Sequence, residues 1–499
     1  MNSKQKTKPA GLQTLEQLKV LQKNPALFQV NTRVWLTELS KQLGRQATLD
    51  DVPDAALDEL ADQGFAWVYF LSVWQTGEAG RRISINHPGW KESFKVDIPD
   101  LSDDDICGSG FAITDYSLHT NFGKLDALLR LKERINQRGM KLMLDLVPNH
   151  TAIDHGWVKA HPEFYVQGDE GDIAEAPQNF LRADNRIFAH GRDPYFDGWP
   201  DTLQLNYGNP AFREAMFAEV LKIATACDGL RCDMAMLVLP DVFSRTWGID
   251  IEPFWPTAIA NTREKHPGFT FMAEVYWDRE WDLQQQGFDF TYDKRLYDRL
   301  RGSEARTVRE HFWAAPDYQQ RSARFLENHD EPRAAGTFDP DQHKAASVLT
   351  FFSQGLRFLH QGQFEGYRKR VSVHVRRKPK EEADTAIQKF YSELLGCLKL
   401  PAVHNGNWSL LECSQAWDGN WTADCFIAFS WKLENESPVH IIVNYSGHQS
   451  QCYVKTPEGT GLKDVDIRMS SGADLKFLEL TESGFFVDFP PWGYAVLIS

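Results

Sequence analysis

Residues 124–147 read KLDALLRLKERINQRGMKLMLDLV, and this stretch decides the architecture. Its first part places Leu125, Leu128, Leu129 and Ile135 at helical spacing, which predicts one buried face. Gly139 stops the helix, because glycine takes the left-handed conformation without a steric penalty, and the apolar KLMLDLV (141–147) follows as a strand. The same step recurs downstream. Asn209-Pro210 predicts a cap and first turn, AFREAMFAEVLKIATA (211–226) carries a helical stripe, and GLRCDMAML (229–237) reads as the next strand. Upstream, VNTRVWL (30–36) and AWVYFLSVW (66–74) have strand character, the second preceded by a helix over ALDELADQG (56–64). FTFMAEV (269–275), FDFTYD (288–293), RSARFLEN (321–328) and GLRFLHQ (355–361) bring the count to eight. Near-continuous apolar strands separated by helices imply a parallel sheet covered on both sides, and eight of them favour closure into an α/β (β/α)8 TIM barrel.

Two stretches interrupt this rhythm: Gly77 to Phe122, a long polar excursion, and Pro148 to Tyr207, rich in Gly, Asp, Asn and Pro. Both are too long for ordinary connections, and both follow strand C-termini, the face on which barrels build their sites. After residue 400 the helical pattern gives way to short alternating strands, as in an antiparallel β-sandwich. The expected organisation is a helical lead-in over 1–27, a barrel from 28–147 and 208–399, a loop-rich subdomain inserted over 148–207 after the third strand, and a C-terminal sandwich over 400–499.

Bulk properties remove several classes of function. A net charge of -15 over 499 residues would repel a phosphate backbone, so no nucleic-acid partner is expected. No apolar run reaches membrane-spanning length and no apolar core follows the basic N-terminus, which predicts no membrane partner and cytoplasmic residence. Seven scattered cysteines without CxxC spacing suit reduced thiols. No coiled coil or interface stripe predicts an oligomeric state.

Four strand ends finish in polar residues that a purely structural strand does not need: DLVPNH (145–150), GLRCDMA (229–235), FMAEVYW (271–277) and ENHDEPR (327–333). A single strand-end acid is more often a cap or a surface ion pair, but four such segments in order are another matter. In that order and spacing they resemble the α-amylase superfamily of retaining glycoside hydrolases and transglycosylases. The resemblance implies that Asp233 is the nucleophile, Glu274 the general acid and base, and Asp330 the carboxylate that steadies the distorted sugar. It implies sugar contacts for Arg231, His150 and His329, adds Phe111, Asp115, Tyr116 and Arg333 to the substrate-binding candidates, and makes Asp145 and Asn149 structural. The chemistry itself asks for the same parts. A leaving alkoxide needs a protonated carboxylic acid, and an oxocarbenium-like centre needs a carboxylate on the opposite face of the ring. Arg231 is expected to keep Asp233 ionised, and a crowd of carboxylates to raise Glu274.

Substrate class is where the pattern departs. Within GFAITDYSLHTNFG (110–123), Phe111 stands where the family usually stacks a tyrosine, and Ala112 where chain-end α-glucosidases hold an Asp. Met236-Leu237 replace the Lys-His of starch-degrading members, and no acidic calcium loop follows the first strand. No cofactor and no obligatory metal are therefore expected. An α-linked glucan or oligosaccharide is the expected substrate; transglucosylation or trehalose-forming isomerisation stays open, as does an inactive carbohydrate-binding scaffold. The basic stretch YRKRVSVHVRRKPK (367–380) reads either as a site for an anionic sugar or as a surface loop paired to acids.

Overall fold

Eight short parallel strands close on one another in chain order: β1 (Ala26–Asn31), β2 (Trp67–Leu71), β3 (Lys141–Leu146), β4 (Gly229–Cys232), β5 (Thr270–Ala273), β6 (Phe290–Tyr292), β7 (Ser322–Arg324) and β8 (Leu356–His360), with β8 pairing back to β1. The computed structural model describes residues 23–456, 466–472, 475–481 and 484–498. Both faces of the strands are packed: Val68, Phe70, Leu142, Leu144, Leu230, Phe271, Met272, Phe358 and Leu359 are all fully buried. That pattern is what a parallel sheet with helices outside and side chains inside requires.

Several local expectations need correcting. Of VNTRVWL only Val30 and Asn31 belong to β1, and Thr32–Leu43 is a helix. Asn31 explains the switch, since its side chain accepts a hydrogen bond from the Val34 amide and caps the helix (3.2 Å). The barrel therefore begins at Ala26 inside the proposed lead-in, of which residues 1–22 lie outside the described residues. In the helix Leu125–Asn136 the buried face is Ala127, Leu128, Leu131 and Ile135, while Leu125 is 51% and Leu129 39% exposed. Five leucines and isoleucines compete for one face of that helix, and tertiary packing rather than spacing chose among them. β4 ends at Cys232; Met234 turns left-handed (φ 40°), and Ala235–Val238 form a 3-10 turn instead of continuing the strand.

The excursion after β2 is not unstructured. It holds the helices Glu78–Asn86 and Pro88–Asp97 and a strand, Ile113–Leu118, paired with Trp74–Thr76. The insertion after β3 carries a small three-stranded sheet (Gln167–Gly168, Phe180–Ala183, Arg186–Ala189). Beyond residue 406 a five-stranded and a four-stranded antiparallel sheet face each other across Phe426, Ala428, Ile442, Cys452, Val487, Phe489 and Leu497. Hydrogen bonds from Trp431 Nε1 to the Phe352 carbonyl (2.7 Å) and from Tyr445 OH to the Leu300 carbonyl (2.7 Å) fix this sandwich to the barrel.

The basic stretch after β8 meets the excursion after β2 over the barrel mouth. Ile106 bridges Val375, the Cys107 amide donates to the His374 carbonyl (2.8 Å), and Arg377 pairs with Asp100 and Asp105 (both 2.9 Å). His374 is wedged between Trp90 and Phe94 and bonded to Ser84 Oγ (2.8 Å). The two loops thus form one strap. Arg377→Ala is expected to weaken it by about 1–3 kcal/mol, the worth of charge-assisted hydrogen bonds on a mostly buried guanidinium. Faster hydrogen exchange at the Cys107 amide with an unchanged barrel core is the readout; unchanged exchange there would show that the apolar contacts hold the strap alone.

Candidate active site

Strand register brings the acids together. Arg231 and Asp233 are two residues apart, so both project to the same side as the chain leaves β4. The β4–β5 pairing aligns Cys232 with Ala273, which sets Asp233 beside Glu274; the Glu274 amide donates to the Cys232 carbonyl (3.0 Å) and the Asp233 amide to the Leu146 carbonyl (2.8 Å). Asp330 comes from the loop after β7, where Asn328 Oδ1 accepts from the Asp330 and Glu331 amides (2.8 and 2.9 Å).

One guanidinium organises all of them. Arg231 is completely buried; Nη1 donates to Asp233 Oδ1 (2.7 Å) and lies 3.9 Å from Asp145, while Nη2 is 2.8 Å from Glu274 Oε2 and 4.0 Å from Asp330. Its plane sits between the rings of Phe111 (5.2 Å) and Tyr292 (5.7 Å), and Nε donates to Tyr292 OH (3.3 Å). Four carboxylates against one buried cation is an unstable arrangement for a fold, and assemblies of this kind concentrate at functional sites.

The acids differ in their surroundings. Burial, reinforced by the charges of Asp233 and Asp330 and opposed by Arg231, raises Glu274 to about 7. The Met234 amide, aimed by its left-handed backbone, donates to Glu274 Oε2 (2.7 Å), and Tyr276 OH donates to Oε1 (2.9 Å). Burial also raises Asp233, with Arg231 holding the rise in check, so burial outweighs the charge pairing that was expected to dominate. Asp330 has a 43% exposed side chain; burial of its surroundings pushes it up, but His329 beside it (Nε2 to Oδ2, 2.9 Å) and then Arg231 and Arg370 bring it down to about 2. The surroundings thus set two carboxyls apart, favouring the protonated form of Glu274 and the ionised form of Asp330.

The remaining candidates divide. His329 is at the centre: Gln29 Nε2 lies 2.9 Å from its Nδ1 and Phe111 stacks on its ring (5.4 Å). His150 is buried against Trp199 (5.1 Å), and its ring bonds Asn149 Nδ2 (3.4 Å) and the Phe111 carbonyl, so it supports Phe111. Tyr116 is structural, because its hydroxyl donates to the Val147 carbonyl (3.0 Å) and accepts from the Val147 amide (2.9 Å). Asp115 lies exposed on the strand Ile113–Leu118, with no contact to the three acids among the described residues. Arg333 is withdrawn from the cleft by Glu327 (2.5 Å) and the Gln361 carbonyl (2.8 Å). These last three carry sequence positions that resemble substrate residues, yet their side chains are engaged elsewhere or turned away.

Gln29, Tyr69, Tyr276 and Tyr292 escaped the reading of the sequence. Tyr69 bonds Asp145, whose other oxygen accepts from the Ser72 amide (2.7 Å). Their signal was present as polar atoms on strands otherwise made for burial. Of the basic segment, Arg370 reaches the backbone of the site, with Nη1 donating to the Asp330 carbonyl (2.6 Å), while Glu381 accepts from the Arg368 and Lys369 amides. Size does not mark the site: a cavity of about 820 Å³ lined by Arg33, Arg81, His119 and Arg377 beside the strap contains none of the three acids.

Fold and site together define a (β/α)8 barrel with an acidic centre at the C-terminal ends of its strands. Residues 98–396 match the family model of the α-amylase catalytic domain, and the chain belongs to the α-amylase family. It is 25% identical over 368 residues to an α-amylase of Haloarcula japonica, covering 71% of this chain and 50% of that protein. It is 26% identical over 276 residues to a trehalose synthase/amylase of Mycolicibacterium smegmatis, covering 47% of this chain and 44% of that protein. The chain thus spans about half the length of these curated relatives. A noncanonic maltogenic α-amylase from Thermotoga neapolitana superposes with a TM-score of 0.67 at 19% identity, over 96% of this chain and 99% of that one. No helix among the described residues is long and apolar enough to cross a membrane.

Proposed function

We propose that this chain is a retaining glycoside hydrolase that cleaves α-glucosidic bonds of oligo- or polysaccharides through a covalent glycosyl-enzyme on Asp233. The observation that carries the reading is the shared guanidinium: Asp233 and Glu274 bind adjacent nitrogens of Arg231. Two acids bridged in this way stand close, as a retaining pair separated by about 5–5.5 Å must.

In this reading Glu274, protonated near neutrality, gives its proton to the glycosidic oxygen while Asp233 attacks the anomeric carbon. Arg231 occupies Oδ1 of Asp233 and leaves the second oxygen for the sugar. Asp330, ionised, steadies the positive charge that develops on the ring, and Phe111 offers a stacking face. Formation of the ester removes the charge of Asp233, one of the causes that raises Glu274. Glu274, left ionised when it gave up its proton, is kept so by that loss of charge and can take a proton from the incoming nucleophile. No cofactor enters, because three carboxylates and an arginine supply each proton and charge required.

The test is to incubate the protein with maltooligosaccharides, isomaltose and trehalose and to follow the first product by proton NMR. The α-anomer is expected before mutarotation; an initial β-anomer would remove the retaining mechanism, and no turnover of any α-glucoside would remove the activity. Water and a sugar hydroxyl compete for the same intermediate, so transfer is the second outcome to be scored.

A further inference from the structure

The cavity of about 820 Å³ beside the strap lies where three segments meet: the helix Thr32–Leu43, the excursion after β2 and the basic stretch after β8. Its volume falls within the range of about 300–1,000 Å³ typical of small-ligand sites. Six basic and three acidic side chains line it, an excess of positive charge on a chain whose net charge is -15. A local field opposite in sign to that of the whole concentrates anions there.

Four of the six cations are already matched. Lys41 pairs with Glu38 (2.7 Å), Arg45 with Asp51 (2.5 Å), Arg81 with Glu78 (3.3 Å) and Arg377 with Asp105 (2.9 Å). Arg33 and Arg376 take part in no ion pair among the described residues, and the one lining acid left over, Asp104, is exposed. Arg33 is only 5% exposed. Its Nη1 donates to the Gly108 carbonyl (2.7 Å) and Cys107 Sγ (3.1 Å) and its Nη2 to Thr76 Oγ1 (3.1 Å), all neutral acceptors. Nε and the second hydrogen of Nη2 have no acceptor among the described residues. A buried cation without a counter-ion is costly unless something supplies one. His119, also in the wall, adds a neutral donor. Burial and then the charge of Arg33 bring its ring down to about 4, and Nδ1 accepts from the Asn121 amide (3.1 Å), so Nε2 carries the hydrogen.

We propose that this cavity binds, as an effector, the phosphate monoester of a small polyhydroxylated molecule, with Arg33 and Arg376 gripping the phosphate. A dianionic phosphate matches two unpaired guanidiniums in charge, and the planar fork of arginine suits its oxygens. The rest of the wall is largely polar, Thr120 and Asn121 included, and offers donors and acceptors to hydroxyls. The strap links this cavity to the acids. Arg33 holds the Gly108 carbonyl, and three residues on Phe111 stacks on His329 (5.4 Å) and lies against Arg231 (5.2 Å). Arg376 follows Val375, which bridges Ile106, and its amide donates to the Asp105 carbonyl (3.0 Å). A ligand held by both loops and by the helix after β1 binds more tightly when the strap is formed than when it is parted, and so stabilises it.

The test is a calorimetric titration of the full chain, at constant ionic strength, with glucose 6-phosphate, glucose 1-phosphate, inorganic phosphate and glucose. At least one ester is expected to bind about tenfold more tightly than phosphate or glucose, and to slow hydrogen exchange at the Cys107 amide. Arg376→Ala, at an exposed position outside the paired residues of the strap, is expected to weaken that ester about tenfold, the loss of one charge-assisted hydrogen bond. Arg376→Lys, which keeps the charge, retains part of the affinity. Failure of both esters to bind overturns the site, and so does an affinity that Arg376→Ala leaves unaltered. Inorganic phosphate binding as tightly as either ester overturns the polyhydroxylated part of the ligand, and binding without slower exchange at Cys107 overturns the link to the strap. None of these readouts involves turnover, so they stand apart from the reading of the three acids.

Discussion

Asp233→Asn is expected to lower kcat by roughly 10⁴-fold or more, since it removes the group that forms the covalent bond, and nucleophile losses are of this order. The amide is nearly isosteric, so the barrel should persist. Arg231 keeps Glu274 at 2.8 Å and stays close to Asp145 and Asp330, so the cation is not left uncompensated. The substitution also carries a sign that a mere loss of folding would not produce. The charge of Asp233 is one cause of the raised Glu274, and without it Glu274 should titrate below about 7. A differential proton titration of wild type and variant reads this shift directly. Residual activity within tenfold of wild type would move the nucleophile elsewhere.

Glu274→Gln has the second largest expected effect, and it is graded by the leaving group. Departure of a sugar alkoxide needs the proton, so kcat should fall about 10²–10⁴-fold on maltooligosaccharides. Fluoride leaves without protonation, so formation of the glycosyl-enzyme from α-glucosyl fluoride should suffer far less. In the wild type, kcat/KM should decline as pH rises through about 7, where Glu274 loses its proton. The Gln variant should lose that limb. Stability has its own sign. Because the folded protein raises Glu274 above its ordinary value of 4.5, the native state holds a proton that the unfolded chain has released. Stability therefore falls as pH rises from about 4.5 to 7, and the variant, with nothing to titrate there, should show a flatter melting temperature across that window. Equal losses on fluoride and oligosaccharide donors would argue against a proton-donor role.

Much of the barrel could be read from the chain because its information is local. The 211–226 helix announces itself through the Asn209 cap, whose side chain accepts from the Ala211 and Phe212 amides (2.9 and 3.3 Å). The strands announce themselves through apolar runs that only a doubly covered sheet can bury. Where two local rules competed, reading failed: Thr32 to Leu36 have strand-like residues, yet the Asn31 cap and the packing outside β1 made them helical. Leu125 and Leu129 have the right spacing for burial but face solvent, because a helix buries only the face its neighbours cover.

The site divides in the same way. Asp233, Glu274 and Asp330 were legible as candidates, since acids at strand ends, in order, have few structural uses, and the fold gathers them around Arg231. Asp115, Tyr116 and Arg333 occupied suggestive positions, but where their side chains go is set by contacts that spacing does not encode: the Val147 backbone for Tyr116, Glu327 for Arg333.

By itself, then, the chain determined the succession of helices and strands, the closure of eight strands and the acids that stand at strand ends, all properties of periodicity and residue type over short distances. Only the folded molecule decided how burial and neighbouring charges set Glu274 and Asp330 apart, and that the loops after β2 and β8 bind each other into a strap. Those outcomes depend on burial and on charges brought together from residues hundreds apart, and electrostatic energy varies with distance and desolvation in space, quantities that position along a chain does not contain.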